Sequence, residues 1–324
     1  MFLLLFGSPP SAWASMICTL WLALLLDVLL GEPPSRVHPV AWLGRVIGLF
    51  YREAPKAGRL LPFAAGLMFS LIGMAVVVVI GFGCQWGCSQ LPLVLAVLIQ
   101  SCLLKLALSL RGLLAAGREV EAALRIPNLA EARRLVSWHL VSRDTAQLNE
   151  SQVAAATIES LAENTSDSVV APLFWFTLFG LPGAFACRFI NTCDAMLGYR
   201  DPPREWLGKF PARLDDVVHL APARVTALAM LTTGLWLSHK PLLAVCIWWR
   251  DCWTTSSPNA GHPMSAAAGV LGVELEKVGC YRLGHLQRLP GVSDIVRTVW
   301  LVVSACVLSA GLLTLGIVCW ESWR

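Results

Sequence analysis

The sequence predicts an all-α, polytopic integral membrane protein. The expected form is a helical bundle with about four full spans, two re-entrant or hairpin segments, and amphipathic helices on the cytoplasmic face. Three observations point there. Of 324 residues, 56% are hydrophobic and only 14% are charged, against roughly 25% charged in a soluble domain. No Asp, Glu, Lys or Arg occurs from position 60 to position 104. The net charge is only +4, and Lys and Arg gather in the loops beside apolar runs, which suits positive-inside anchoring and not nucleic-acid binding. Residues 1–324 read as one membrane-embedded domain.

The spans come in order. No basic segment precedes Phe2-Leu-Leu-Leu-Phe6, and the stronger apolar run begins at Met16. Residues 16–31 are therefore expected to be a retained span and not a cleaved leader. The uncharged stretch is too long for one span of about 20 residues. Gly81-Phe-Gly-Cys-Gln-Trp-Gly-Cys-Ser-Gln90 is expected to break it into spans at 60–82 and 91–110. A last span covers 298–320. Two more apolar segments are interrupted, 169–190 by Gly180-Leu-Pro-Gly183 and 225–249 by Ser238-His-Lys-Pro241.

Basic residues crowd 32–59, 111–143, 198–224 and 250–297, so all four stretches are expected on the cytoplasmic side. Both interrupted segments must then return to the face they left. Irregular backbone at membrane depth needs shielding by protein or a watery cavity; the 169–190 hairpin thus implies a cavity open to the cytoplasm. Residues 111–157 read as amphipathic helices, with Asn128 and Asp144 as N-caps and Glu131 and Gln147 three residues on. Segment 250–291 reads as loop with a small-residue helix at 265–271. The eleven cysteines mostly behave as small hydrophobes, though Cys84 and Cys88 fall in an expected outer loop where a disulfide stays open.

Acids and amides concentrate between positions 158 and 216. Glu159, Glu163 and Asp167 fall at i, i+4 and i+8, so one helix would carry three carboxylates in a stripe, with Asn164 and Ser166 alongside. Like charges at i,i+4 cost an isolated helix roughly 0.2–0.5 kcal/mol per pair. A cation offsets that cost, and hard oxygen ligands suit Mg²⁺. Asn191 and Asp194, at i and i+3, either complete a metal or nucleotide site or cap a helix end. Asp215 and Asp216 are adjacent and must point to different faces, while Arg213 and Arg224 offer planar forks for phosphate or carboxylate or anchor the chain at the membrane. The turn Ser257-Pro-Asn259-Ala-Gly261 can expose backbone N–H groups as an anion nest. Asp27, inside an apolar span, is a functional candidate by default. There is no P-loop, no dinucleotide fingerprint and no Gly-x-Ser-x-Gly nucleophile.

Taken in succession, these motifs resemble a known family. Asp27…Gly31-Glu-Pro…His38-Pro-Val…Gly44, Arg143-Asp-Thr, Glu159-Ser-Leu-Ala-Glu-Asn-Thr-Ser-Asp167, Asn191-Thr-Cys-Asp-Ala-Met-Leu-Gly-Tyr199, Ala212-Arg-Leu-Asp-Asp216…Pro222-Ala-Arg224 and Ser257-Pro-Asn-Ala-Gly261 are similar to the CobD/CbiB family, membrane-bound adenosylcobinamide-phosphate synthases of cobalamin biosynthesis. The resemblance runs over roughly residues 20–300. It implies an ATP- and Mg²⁺-dependent amide ligation of adenosylcobyric acid with aminopropanol or its phosphate, in the inner membrane with the site on the cytoplasmic face. It further implies Glu159, Glu163, Asp167, Asp194 and Asp215 as catalytic residues. Of these, Glu163, Asp167 and Asp194 would hold Mg²⁺–ATP, Arg213 would face phosphate, and Glu159 or Asp215 the amine. Asn164, Asn191, Asp216, Arg224, Ser257, Asn259 and Gly261 would contact substrates. A homo-oligomer or a complex with other cobalamin-biosynthesis proteins is expected alongside the lipid bilayer.

The chain departs from the family pattern at Glu32, where Asp is usual, and at Ser142 and Ser168, where Gly is. His262-Pro-Met264 stands where the family commonly has an aromatic residue and, at position 264, a Glu. Two other readings compete: a corrinoid or cobalt transporter, and a membrane sensor that kept the fold without the chemistry. Transporters place charges near the bilayer midplane within repeated halves; here the charged motifs flank the apolar runs and no repeat is visible.

Overall fold

The computed structural model describes residues 10–238 and 240–323, with side chains from residue 13 onward. The 2–6 segment, Arg324 and His239 of the expected 238–241 break lie outside the described residues. The chain is all-α apart from one small hairpin. In order come α1 (Pro10–Leu30), α2 (Pro39–Glu53), α3 (Leu60–Ser89), α4 (Leu93–Lys105), α5 (Leu110–Arg125), α6 (Leu129–His139) and α7 (Glu150–Thr165). A π-helical turn (Ser166–Val170) leads to α8 (Ala171–Phe179), α9 (Leu181–Leu197), α10 (Lys209–Val218), α11 (Leu220–Leu237), α12 (Pro241–Asp251) and α13 (Gly261–Leu271). The antiparallel strands β1 (Leu275–Lys277) and β2 (Tyr281–Leu283) precede α14 (Val292–Ser322).

Among the described residues, four helices are long and apolar enough to cross a membrane: 13–30 of α1, then α3, α11 and α14. The expected number is four; α4 and α5 pass the same test together as a bent pair, which counted as one broken span makes five. The run expected at 91–110 is a 13-residue helix, α4, followed by a bend of 40° into α5. The 225–249 segment, expected to turn back, contains most of α11, whose 18 residues meet the length and hydropathy of a span, and then α12. Its break comes where expected, since α11 ends at Leu237 and Pro241 opens α12.

The expected break at 81–90 is absent: α3 continues to Ser89. Glycine costs helix stability in water, but where water is scarce the backbone can satisfy itself only by staying helical. Gly81 also gains from packing, because a Cβ there would meet Pro182 backbone on α9. Cys84 and Cys88 consequently sit one turn apart on α3, both as free thiols. Gly180 breaks 169–190 as expected; its φ of +70° is a conformation that side chains resist, and Pro182 then starts α9.

The capping expectations divide. Asn128 caps α6 by accepting from Glu131 N at 3.1 Å. Asp144 caps no helix; its Oδ1 accepts from Ala146 N at 2.9 Å and folds a turn. The capping box belongs to Asn149 and Gln152 at the start of α7, five residues later. The small-residue helix starts earlier than expected, at Gly261, and the hairpin after it lies in a stretch expected to be loop.

The chain packs as two compact units. Of the described residues, the first comprises 10–109, 171–219 and 312–323; the second comprises 110–170, 220–238 and 240–311. In the first, α9 is central: it packs on α3, α2, α8 and α10 around a core of Ile47, Val77, Phe189, Ile190, Cys193, Leu197 and Leu207. In the second, α13 is central, fully buried along its length and packed on α7, α11 and α12, while β1 lies against α7.

Candidate functional site

In the second unit the acidic stripe is largely buried. Glu159 is 5% exposed on α7, with Glu163 and Asn164 half-buried one turn on. The α-helix ends at Thr165, and Asp167 lies in the π turn. A wider turn rotates the next residues away from the i, i+4, i+8 line, so the expected straight stripe of three becomes a pair on α7 and a carboxylate on a π bulge. Such bulges recur at functional sites because they re-aim side chains inside an otherwise regular helix.

Asn164 Nδ2 donates to Ser160 O at 2.9 Å and to Ser160 Oγ at 3.2 Å, and Ser160 Oγ donates to Leu140 O at 2.8 Å. These bonds tie α7 to the 140–145 turn. Thr145 Oγ1 donates to Arg133 O at 2.9 Å and anchors that turn's other end. The Arg-Asp-Thr motif thereby acquires a physical role: Asp144 and Thr145 fold the turn that carries Arg143 to Glu159.

The contact is loose. Arg143 Nη2 stands 3.7 Å from Glu159 Oε2, beyond hydrogen-bond distance. Among the described residues, neither Arg143 Nε nor Glu159 Oε1 has a hydrogen-bond partner, although both are buried. Burial pushes the Glu159 carboxyl up to about 7, against the opposing pull of Arg143, Lys277 and the Tyr281 hydroxyl. Burial and the charges of Glu159 and Glu163 in turn push the Tyr281 phenol upward, so it stays an O–H donor. Tyr281 also reaches Met264 on α13, with its oxygen 3.8 Å from Sδ. Sequence reasoning missed Tyr281 and Lys277, which come from the hairpin.

The 257–261 loop lies in the same unit, at the N-terminus of α13. Asn259 is buried and its Oδ1 accepts from Arg224 Nη1 at 3.2 Å. Arg224 also donates to Leu220 O at 2.7 Å and stacks over Trp253, 5.4 Å from the ring centre. Thr255 Oγ1 donates to Ser257 O at 2.8 Å. A Cβ at Gly261 would meet Cys252 O, so only glycine fits this turn. Arg224, Ser257, Asn259 and Gly261 are thus brought together as expected. Asp251 closes the loop's base, bonded by Arg250 at 2.6 and 2.8 Å and by Gly284 N at 2.7 Å.

The remaining expected residues belong to the first unit. Asn191 and Asp194 are half-buried on α9. Asp194 and Asp215 both bear electrostatically on Cys193, which lies on the packed side of α9. Asp215 is 9% exposed, and its Oδ1 lies 3.1 Å from Nδ1 of the buried His219, one turn along. Asp216 faces outward toward Arg213 at 3.5 Å, and the Arg213 side chain is 72% exposed. The adjacent aspartates do point to different faces. A second polar group in this unit joins the N-terminal motifs. Lys105, buried, donates to Gly31 O, and Ser109 donates to Glu32. His38 caps α2 by accepting from Val40 N at 3.1 Å. Burial holds His38 below the usual imidazole range, with Arg188 and Lys105 pushing the same way against Glu32 and Asp27.

The donor chemistry fits Mg²⁺ in part. Among the described residues no three His, Cys, Asp or Glu side chains gather as a ready metal cage. Mg²⁺ seldom uses one: it typically takes one or two carboxylates and completes its shell with water and substrate phosphates. Glu163 and Asp167, close in sequence on either side of the π transition, supply that number. The expected trio with Asp194 draws on both units.

A profile described as CobD/Cbib protein matches residues 20–302. "Cobalamin biosynthesis protein CobD" of Dehalococcoides mccartyi is 42% identical over 264 residues, covering 81% of this chain and 85% of that protein. "Probable cobalamin biosynthesis protein CobD" of Methanothermobacter thermautotrophicus is 41% identical over 83% of this chain and 87% of its own. "Cobalamin biosynthesis protein CobD" of Citrobacter koseri is 34% identical over 91% of this chain and 94% of its own. No solved structure matches.

Proposed function

The chain belongs to the CobD/CbiB family, and from that premise we propose that it acts in cobalamin biosynthesis as an ATP- and Mg²⁺-dependent amide ligase. Its substrates are adenosylcobyric acid, through the free propionate, and aminopropanol or its phosphate. The observation that carries this reading is the buried, incompletely paired Glu159–Arg143 couple beside the Glu163 and Asp167 carboxylates.

A carboxylate and an amine do not condense unaided in water. ATP activates the acid as an acyl phosphate, and the amine nitrogen then attacks the acyl carbon as phosphate leaves. Mg²⁺ with ATP supplies charge neutralisation on the transferring phosphoryl group. Glu163 and Asp167 would hold that ion, and Arg143 and Arg224 of the same unit would offer fixed positive charge to phosphates.

The amine arrives as an ammonium and must lose a proton to attack. Glu159, poised near 7, is matched to that transfer at neutral pH. Asp215, already engaged by His219, is the less suited of the two carboxylates. Tyr281 and Arg143 orient Glu159 from either side, and holding two substrates in register contributes up to about 7–11 kcal/mol.

The test is direct. Purified protein incubated with ATP, Mg²⁺, adenosylcobyric acid and aminopropanol phosphate yields the amide and ADP. A folded protein that gives no product at any Mg²⁺ concentration refutes the ligase. The site is proposed to face the cytoplasm, where ATP is available. Cys280, exposed in the β1–β2 turn, then reacts with a membrane-impermeant thiol reagent only in inverted vesicles; labelling from the periplasmic side of intact cells overturns that orientation.

A further inference from the structure

His262 at the start of α13, Trp248 on α12 and Trp253 in the loop between them remain unused by the ligase mechanism. His262 is 3% exposed, and among the described residues neither of its ring nitrogens has a hydrogen-bond partner. The buried Trp248 Nε1 has none either. Buried polar groups are paired in the great majority of native cases, and each exception calls for an explanation. Here two exceptions are neighbours. The His262 and Trp248 rings lie 5.8 Å apart, and Trp253 meets His262 edge-on at 5.0 Å. Trp253 in turn carries the Arg224 guanidinium, which is also bonded to Asn259.

The chemistry of this group leans to donors. Indole Nε1–H and guanidinium are donors only, and a neutral imidazole adds one N–H and one acceptor nitrogen. Burial and Arg224 hold His262 at about 4, so it is neutral at physiological pH. The N-terminus of the 11-residue α13 adds its partial positive charge. The neighbouring carboxylate, Asp251, is already matched by Arg250 and the Gly284 N–H. What is missing is an acceptor.

We propose that His262, Trp248 and Arg224, with the 257–261 loop, form an oxyanion subsite that takes a phosphate group. The proposal deepens the ligase reading and rests on it for the source of the phosphate, which is either the nucleotide or a phosphorylated amino alcohol. Within the second unit the subsite lies at the head of the helix whose third and fourth residues, Pro263 on one side and Met264 toward Tyr281, lead toward Glu159. It therefore places a phosphate at one end of α13 and the proton-transfer carboxyl alongside its first turn.

The experiment measures binding and not turnover, so its failure is separable from failure of the ligase. Full-length protein in detergent is titrated with inorganic phosphate by calorimetry, as wild type, His262→Phe and Trp248→Phe. Both variants keep an aromatic ring in place and remove only the polar nitrogens. Wild type binds phosphate saturably, and each variant weakens it by about tenfold or more, the loss expected for a hydrogen bond to a charged group. The two variants are read independently, so one that fails to fold leaves the other decisive. Competition by ATP or by aminopropanol phosphate, lost in the variants, names the source. Absence of saturable binding in wild type, unchanged affinity in the folded variants, or competition by neither compound overturns the proposal. A rise in the melting temperature of His262→Phe with unchanged phosphate affinity would mark the ring as a packing residue.

Discussion

In the first unit Asp215 sits one turn from His219, with 3.1 Å between carboxyl oxygen and imidazole nitrogen. In the second, Glu159 is buried more deeply and its cation, Arg143, stands 3.7 Å away; among the described residues each carboxylate keeps one buried oxygen without a hydrogen bond, Asp215 Oδ1 and Glu159 Oε1. The two carboxylates look equivalent in sequence, each an acid in an apolar stretch. Their surroundings make them different. Asp215 has a close imidazole one turn along its chain, whereas Glu159 is held between a more distant arginine and a phenol, with its carboxyl pushed up by burial.

The largest effect that can break this comparison comes from Asp167. Asp167→Asn is expected to lower turnover by a hundredfold or more with membrane insertion intact, since it removes a charge proposed to hold the nucleotide's cation. Activity within a few-fold of wild type would return the π-turn carboxylate to a structural role.

A smaller effect appears in stability. The Glu159 carboxyl titrates near 4.5 when unfolded and about 7 when folded. Between those values the folded chain holds a proton that the unfolded chain has released, so stability falls as pH rises through the window and levels off above 7. The fall amounts to about 3 kcal/mol if the whole difference is realised. Thermal melts from pH 4.5 to 8 should show this decline in wild type and lose it in Glu159→Gln. An unchanged slope in the variant would place the titrating group elsewhere.

Much of the architecture was legible because it rests on local rules. Low charge and long apolar runs mark the spans, Gly180 and Pro182 mark the hairpin tip, and Asn128 with Glu131 marks a helix start. The errors came where neighbours decide. Gly81 reads as a breaker, but close packing against Pro182 keeps α3 helical.

The site divides in the same way. The i, i+4 spacing of Glu159 and Glu163 showed the stripe, but no spacing rule announces the π turn that re-aims Asp167. Arg143-Asp-Thr was visible as a motif without a visible role, because the role depends on Ser160 bonding to Leu140 O. Tyr281 and Lys277 lie in a stretch that reads as loop. The alternation that would mark a three-residue hairpin strand is too short to register, and its pairing of Lys277 with Tyr281 is what brings both toward α7.

The central claim is that the reacting carboxyl belongs to the second unit and not to the first. Turnover and melting temperature of Glu159→Gln and Asp215→Asn, measured side by side at pH 7 with saturating substrates, test it most directly. The account predicts that Glu159→Gln loses about a hundredfold or more in kcat, as expected for removal of a general base, and melts no lower than wild type. It predicts that Asp215→Asn keeps kcat within a few-fold of wild type. The reverse pattern, with chemistry lost at Asp215 and retained at Glu159, would contradict it.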